Sequence, residues 1–162
     1  MSKKRRNNSK SGDTPEVVNR RARFEYDIED TLEVGVRLVG TEVKSVRMGK
    51  VSLAEGYVRA TEEPARMELH GVHIAEYPPA GAFQHPPTRV RTLLAHKKEI
   101  VKFATRAQVK GMSIVPLKLY FKGGFAKIQI GVGRGKGKSD KRETIKKREA
   151  DRDIMRAMSK RV

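Results

Sequence analysis

Polar and apolar residues alternate at period two through much of this chain, which predicts half-buried β-strands. Six segments show the pattern: Arg23–Ile28, Leu32–Val39, Tyr57–Thr61, Met67–Tyr77, Met112–Phe121 and Phe125–Ile130. Glu29–Thr31 is the predicted turn between the first two, and Lys122–Gly124 carries the glycine pair of a hairpin between the last two. Pro116 lacks a backbone donor, so it predicts an edge or a bulge in its strand.

Two segments have helical patterns instead. Gly40–Gly49 offers a capping threonine, two valines on one face and a terminating glycine, which together predict a short helix. A longer helical region is predicted from Thr88, as its cap, to about Lys110, with a break near His96. The proline-rich segment Tyr77–Pro87 is predicted to be irregular, because proline removes donors and fixes φ.

This order of elements predicts a mainly β fold. We expect a small closed antiparallel barrel with about three peripheral helices and a basic C-terminal tail. Closing a sheet removes its exposed edges, and such barrels commonly present one face to single-stranded or irregular nucleic acid.

Charge divides the chain into three parts. Its 162 residues carry a formal charge of +17; Met1–Arg23 holds 8 cations and 2 acids, and Gly131–Val162 holds 12 and 5. We therefore predict a flexible basic arm over residues 1–18, one RNA-binding barrel over 19–133 and a basic tail over 134–162. Glycines that alternate with cations from Gly131 to Lys138 cannot build a core, so we expect a tail that is disordered when free.

Several classes of function have little support. Cysteine is absent, which removes disulfides, thiolate metal sites and cysteine nucleophiles. No apolar run approaches the ~18 residues of a membrane span, and no apolar segment follows the basic N-terminus, so we expect a cytoplasmic protein. His70 and His73 lie three apart on a predicted strand and therefore point to opposite faces. The acidic run Glu25–Asp30 fits a solvated strand face better than a metal cluster. We expect no catalytic site, no metal and no cofactor.

Basic residues beside predicted elements indicate RNA binding instead. The string Asn19-Arg20-Arg21-Ala22-Arg23 stands where the arm enters the first strand. Lys44, Arg47 and Lys50 share one side of the short helix. Tyrosine and phenylalanine rings could stack on bases, although aromatic residues at period two more often belong to a core.

Four strings of residues together form one pattern, in this order along the chain: Asn19–Tyr26, Gly40–Arg47, Pro87–Leu94, and Ile130–Lys136 continued by Asp140–Arg142. They resemble the small protein B family, the bacterial SsrA-binding proteins that partner transfer-messenger RNA (tmRNA) in trans-translation. The likeness runs from Asn19 to about Glu149 and so covers nearly the whole chain.

The resemblance implies an oligonucleotide-binding (OB) barrel with no enzymatic activity. One face would grip the tRNA-like domain of tmRNA and help deliver it, charged with alanine and with GTP-bound elongation factor Tu, to a stalled ribosome. The tail would then enter the empty messenger channel and fold there as a helix. We expect the chain to act as a monomer.

Family contacts carry over at Asn19, Glu33 and Leu94. With the cations above and Phe24, they give the predicted RNA-binding set: Asn19, Arg20, Arg21, Arg23, Phe24, Glu33, Lys44, Arg47 and Leu94. The set predicted to meet the ribosome and its messenger channel is Arg134, Lys136, Lys138, Asp140, Lys141, Arg142, Lys146, Lys147, Arg148 and Met158, with Asp140–Arg142 carried over as the ribosome-reading element.

The chain departs from the family at two ring positions. Phe24 stands where the family often has histidine, so it can stack but cannot donate a hydrogen bond, and Ala150 replaces an aromatic residue of the tail. Either Ile154-Met155 or Ala157-Met158 fits the tail's Ile-Met position. Composition alone fits a constitutive ribosomal or general RNA-chaperone protein about equally well, and the family strings favour the adaptor.

Overall fold

Strands dominate the computed structural model, which describes residues 14–160. Its elements over those residues are β1 Val17–Val18, α1 Arg20–Glu25, β2 Tyr26–Val36, α2 Gly40–Arg47, β3 Val51–Ser52, β4 Tyr57–Thr61, β5 Arg66–His70, β6 His73–Ile74, a 3₁₀ turn Pro78–Ala80, β7 Arg91–Leu94, α3 Lys97–Ala107, β8 Met112–Lys122, β9 Phe125–Gly135 and α4 Lys138–Ser159. No helix within residues 14–160 is both long enough and apolar enough to cross a membrane.

The large sheet has the strand order β1-β8-β4-β5-β7-β2-β9, and β8 pairs with β9 as well. Its strand pairs are antiparallel. β3 and β6 form a separate two-stranded sheet. The prediction of a mainly β, antiparallel fold is confirmed.

Side chains that point to one face of the large sheet form the core. Along β2, Val34 and Val36 are buried while Glu33 is exposed, as period two requires. Ile128 and Ile130 of β9 and Phe103 of α3 join the same cluster. Each such side chain contributes roughly 1.5–3 kcal/mol by leaving water, so the core of the sheet, rather than local preference, sets its register.

The first predicted strand is wrong. Arg20–Glu25 is the helix α1, and Tyr26–Val36 then runs as one strand through the predicted turn. The strand continues because β9 lies beside it from Tyr26 to Gly35, and a register shift between Ile28 and Asp30 absorbs the irregular residues there.

The predicted helical region from Thr88 is wrong in its first half. Arg91–Leu94 is the strand β7, inserted between β5 and β2. Its buried positions alternate, as in a strand, and adjacent apolar residues such as Leu93 and Leu94 are compatible with either pattern. The helix α3 starts at Lys97, directly after the predicted break at His96.

The C-terminal hairpin is confirmed and is longer than predicted. Gly123 and Gly124 have φ of +60° and +81°, the two left-handed residues of a tight hairpin turn. A register shift follows Pro116, in agreement with the predicted bulge. β9 runs on to Gly135 because Gly133 passes close to β2: a Cβ there would lie 2.1 Å from the Asp27 carbonyl oxygen. The first glycines of the predicted flexible run are therefore part of the sheet.

At the N-terminus, Val17 and Val18 pair with Leu119 and Lys118. The predicted arm of residues 1–18 therefore stops before Val17, and residues 1–13 lie outside the described part of the chain. The short helix Gly40–Arg47 and the strand Tyr57–Thr61 are confirmed, whereas the strand predicted over Met67–Tyr77 ends at His70 and resumes only as β6.

Candidate nucleic-acid interface

Glu33 and Leu94 share the outer face of the large sheet. Leu94 of β7 lies directly opposite Gly35 of β2, and Glu33 is two residues from Gly35 on the same side of the strand. Leu94 is 51% exposed although it is apolar. An exposed leucine beside an exposed carboxylate offers a nucleic acid both a surface for packing and a hydrogen-bond acceptor.

Two donors hold the Glu33 carboxylate. The Tyr120 hydroxyl donates to one oxygen, and Lys122 Nζ lies 3.3 Å from the other. The Tyr120 hydrogen bond is the main cause that lowers the pKa of Glu33 below its ordinary range, and the Lys122 ammonium adds to it. Burial, together with the neighbouring carboxylate of Glu33, raises the pKa of Tyr120 to about 12. Glu33 is thus an ionised acceptor at neutral pH.

Helix α2 presents the two predicted cations to solvent. The Lys44 ammonium lies 5.0 Å from the centre of the Tyr77 ring, and the Arg47 guanidinium lies 5.4 Å from that of Phe121. These contacts rest the cations on aromatic faces while leaving their donors free to meet phosphates. Phe121 is the neighbour of Tyr120 in β8, which brings Arg47 toward the hairpin end of the sheet.

A buried ion cluster fixes α2 beneath these cations. Glu42 and Arg91 are both 0% exposed. Arg91 Nε donates to Glu42 Oε1 at 2.9 Å, and Arg89 donates to both carboxylate oxygens at 3.2 and 2.7 Å. The other Arg91 nitrogens donate to the carbonyls of Val72 and Pro87.

Two guanidinium groups surround one carboxylate in this cluster and keep that carboxylate ionised. Burial alone would raise the pKa of Glu42, but hydrogen bonds from Arg89 and the Val39 amide, with the charge of Arg91, outweigh it, so the pKa lies below its ordinary value. The sequence pattern marks Glu42 only as a member of the string Gly40–Arg47. The available signal was that a second of these strings, Pro87–Leu94, carries two arginines two positions apart, Arg89 and Arg91.

Asn19 is buried, and its amide is fully used inside the protein. Its Nδ2 donates to the carbonyls of Leu53 and Pro116 at 3.0 and 2.9 Å, while its Oδ1 accepts from the Ala22 amide and caps α1. A side chain held in this way positions α1, so its predicted part in RNA binding would be exerted through that helix.

Helix α1 places the neighbouring predicted residues beside the tail. Arg20, Arg21 and Arg23 are exposed, and Arg21 is paired with Glu25 and Glu55. The Arg148 guanidinium of α4 lies 5.6 Å from the centre of the Phe24 ring. The predicted RNA-binding set therefore divides into two groups. Tyr26 and Glu33 are seven residues apart on β2, which corresponds to about 23 Å along a strand.

The predicted tail residues lie at the end of β9, in the short connection that follows it, and on α4. Lys136 is tied to α1 through its amide, which donates to the Glu25 carbonyl at 2.7 Å. Asp140 accepts from the Gly137 amide at 3.2 Å and starts the helix. No residue of α4 is buried. Its side chains include most of the predicted channel set: Lys138, Asp140, Lys141, Arg142, Lys146, Lys147, Arg148 and Met158. Arg134 is exposed near the end of β9, where it pairs with Asp27 of β2 and Met112 of β8.

The apolar residues of α4 all face solvent. Ile154, Met155 and Met158 are exposed, so both candidate Ile-Met positions are equally accessible, and Ala150 is exposed as well. Ile154 and Met158 are four residues apart and share one face of the helix.

A buried histidine and one acid of the run Glu25–Asp30 are bonded inside the protein. His85 is buried, with Nδ1 accepting from the Thr41 hydroxyl and Nε2 donating to the Ile74 carbonyl. Asp30 of the acidic run pairs with Lys102 and Arg106 of α3 at 2.9 and 3.1 Å. Within residues 14–160, no group of three or more histidine or acidic side chains is placed to hold a metal ion.

Comparison with known proteins gives a consistent picture. The SsrA-binding protein of Latilactobacillus sakei is 50% identical over 143 residues, which is 88% of this chain and 90% of that protein. The SsrA-binding protein of Microcystis aeruginosa is 52% identical over 88% of this chain and 92% of its own length. That of Prochlorococcus marinus is 43% identical over 98% and 95%.

A solved structure described as "tmRNA-SmpB: a journey to the center of the bacterial ribosome" superposes with a TM-score of 0.66 at 39% identity, covering 81% of this chain and 94% of that one. The family model described as SmpB protein matches residues 16–160, from the strand β1 to the end of α4. With a family match over nearly the whole chain and relatives at about half identity, the chain belongs to the SmpB family.

Proposed function

We propose that this protein is an RNA-binding adaptor that binds the tRNA-like domain of tmRNA and brings it to stalled ribosomes for trans-translation. The observation that carries the proposal is the outer face of the sheet, where Glu33 and Leu94 lie side by side around Gly35 in a chain of the SmpB family. Relatives named SsrA-binding protein, and a structural neighbour described as tmRNA-SmpB, support the same partner.

The scaffold we propose for this role is a closed, OB-like barrel. Its support is the cyclic pairing, in which β8 meets both β4 and β9 while β4, β5, β7, β2 and β9 follow one another. A closed sheet gives a rigid platform without open edges, which suits recognition of a folded RNA by shape.

The two groups of predicted binding residues would contact different RNAs. The sheet face with Glu33 and Leu94, flanked by Lys44 and Arg47, would hold the tRNA-like domain. The tail, beside Arg23 and Phe24 of α1, would meet the ribosome, with α4 in the messenger channel. Elongation factor Tu would join during delivery, and the chain would act as a monomer, without catalysis, in the cytoplasm.

The alternative is a constitutive ribosomal or general RNA-chaperone protein, which the formal charge of +17 favours equally. The adaptor and the general RNA-binding protein differ in how specifically they select an RNA. A chaperone binds by phosphate contacts, whereas an adaptor prefers the tRNA-like domain over a tRNA of equal length at the same salt concentration.

Substitution of Leu94 by Asp tests the proposed face. Leu94 is exposed, so the variant should fold. The new carboxylate would face RNA phosphates and bases, and affinity for the isolated tRNA-like domain should therefore fall by about tenfold or more. Val109→Asp is the matched control, because Val109 is 53% exposed and lies beyond the end of α3. Equal affinity of the Leu94 variant and the parent, measured by titration at fixed salt, would reject this face.

A further inference from the structure

A row of outward-facing residues begins at Leu94 and crosses four strands. Leu94 pairs with Gly35, Gly35 with Lys127, and Lys127 with Tyr120. Gly35 contributes no side chain, so the row has a depression there. One wall is Leu94, since a Cβ on Gly35 would lie only 3.3 Å from that of Leu94. A glycine inside a strand commonly marks a place where a ligand approaches the backbone.

Glu33 stands at the edge of this depression and is held from the far side. Tyr120 reaches across β9 to donate its hydroxyl hydrogen to Glu33 Oε2, and Lys122 Nζ approaches Glu33 Oε1. Lys118 lies over the Tyr120 ring at 5.0 Å. A surface glutamate normally samples many rotamers, and ordering it on binding costs affinity. Here the ordering is done before any ligand arrives.

The fixed carboxylate keeps unused acceptor capacity. A carboxylate offers about four lone-pair directions, and the two donors occupy one on each oxygen. The Glu33 side chain remains 38% exposed, so the remaining lone pairs are open to a ligand. Unpaired bases with amino groups supply matching donors, and the Watson–Crick edge of guanine presents two of them side by side.

We propose that Tyr120 is a positioning residue, which holds Glu33 as the acceptor for the amino-bearing edge of an unpaired RNA base seated over Gly35 against Leu94. This inference rests on the proposed function and adds to it a specific recognition element. Tyr120 itself does not touch the base.

The charges around the pair agree with this role. Lys122 and Lys127 face Glu33 and, after the Tyr120 hydrogen bond, further lower the pKa of its carboxyl. Lys118 faces the Tyr120 ring, while Glu16 lies within 3.3 Å of Lys118 and adds to the raised pKa of Tyr120. Tyr120 therefore stays a neutral donor, and Glu33 stays a charged acceptor, over the range in which RNA binding is measured.

A double-mutant cycle tests the proposal with the full-length chain and the isolated tRNA-like domain of tmRNA. Tyr120→Phe keeps the ring under Lys118 and removes only the hydroxyl. It should weaken binding by about three- to tenfold, since a hydrogen bond to a charged group is lost. Glu33→Ala should weaken it at least as much, and adding Tyr120→Phe to that variant should cause no further loss. Tyr57→Phe is the matched control, because Tyr57 is also a tyrosine of the large sheet but stacks on His70 instead of bonding Glu33.

The pH profile separates positioning from a structural role. Without the Tyr120 hydrogen bond, the pKa of Glu33 should return toward its ordinary value of about 4.3, so Tyr120→Phe should lose more affinity between about pH 6 and about pH 4 than the parent or Tyr57→Phe does. Unchanged affinity of Tyr120→Phe, additive losses in the double variant, or parallel pH profiles would each overturn the proposal. A parent protein that shows no preference for the tRNA-like domain would instead reject the proposed function.

Discussion

At the scale of single residues, buried charged and polar side chains fix the positions of helices α1 and α2 against the sheet. Glu42 receives hydrogen bonds from Arg89, Arg91 and the Val39 amide. It thereby joins α2, which carries Lys44 and Arg47, to the segment that ends in Leu94. Asn19 similarly joins α1 to the carbonyls of Leu53 and Pro116. Two of the strings that identify the family therefore meet in a buried ion cluster.

Substitution of Glu42 by Gln should destabilise the protein strongly. It leaves the buried guanidinium of Arg91 without its counter-charge, which costs about 3–5 kcal/mol. Urea unfolding monitored by circular dichroism measures this as a lower midpoint at constant slope. Glu63→Gln, on the exposed β4–β5 turn, is the control and should change stability by under ~0.5 kcal/mol.

The pH dependence of that difference has a definite sign. The pKa of Glu42 is lowered on folding, so its contribution is complete above the unfolded value of about 4.3 and is lost as pH falls through the folded pKa. The gap between parent and Glu42→Gln should therefore be constant near neutral pH and narrow in acid. A gap that widens as the pH falls would contradict the assigned ion cluster.

At the scale of elements, α4 differs from the other three α-helices of residues 14–160, because none of its own residues is buried. Local interactions hold it: Asp140 caps its start, and Arg156 lies 3.8 Å from Asp153. Such helices are marginal in water and gain most from a partner surface. Its connection to the body is the contact of Arg148 with Phe24 and the pairing of Lys136 with α1.

Truncation after Lys138 should therefore separate two activities. Affinity for the tRNA-like domain should stay within a few-fold of the full-length value, because the sheet face and α2 are intact. Peptide transfer on ribosomes that lack downstream message should be abolished, because the helix that would enter the channel is gone. Both activities are measured on the same preparation, so the RNA titration controls for folding. An equal loss of both would place the tail in the primary RNA site.

At the scale of the whole molecule, most of the net charge lies outside the sheet. Gly131–Val162 holds 12 cations and 5 acids, whereas Phe24–Ile130 holds 16 and 12. A nearly balanced body with a cationic extension can recognise one RNA by shape with the body while the extension follows phosphates elsewhere.

Limited trypsin digestion should show this division. Cleavage should begin among the cations of α4, because opening an unburied helix costs little free energy, and a fragment ending near Lys136 should persist. The chain truncated after Lys138 serves as the control and should yield the same surviving fragment. Tail sites as resistant as those within the strands would show that α4 is packed on the body in solution.

Local sequence patterns were sufficient to predict the elements that local interactions define. The helix Gly40–Arg47, the strand Tyr57–Thr61, the C-terminal hairpin and the bulge after Pro116 all follow from capping, alternation and turn chemistry. These signals act over a few residues, so the sequence alone carries them. Its charge distribution and four ordered strings also determined the family.

The tertiary structure decided whatever depends on distant partners. Arg91–Leu94 is a strand because β2 and β5 flank it, and Tyr26–Val36 is unbroken because β9 accompanies it. Glu42 is buried because two arginines some fifty positions away neutralise it, and Tyr120 reaches Glu33 only because β9 lies between their strands. Burial and counter-charge are properties of the assembled sheet, and period and composition do not encode them.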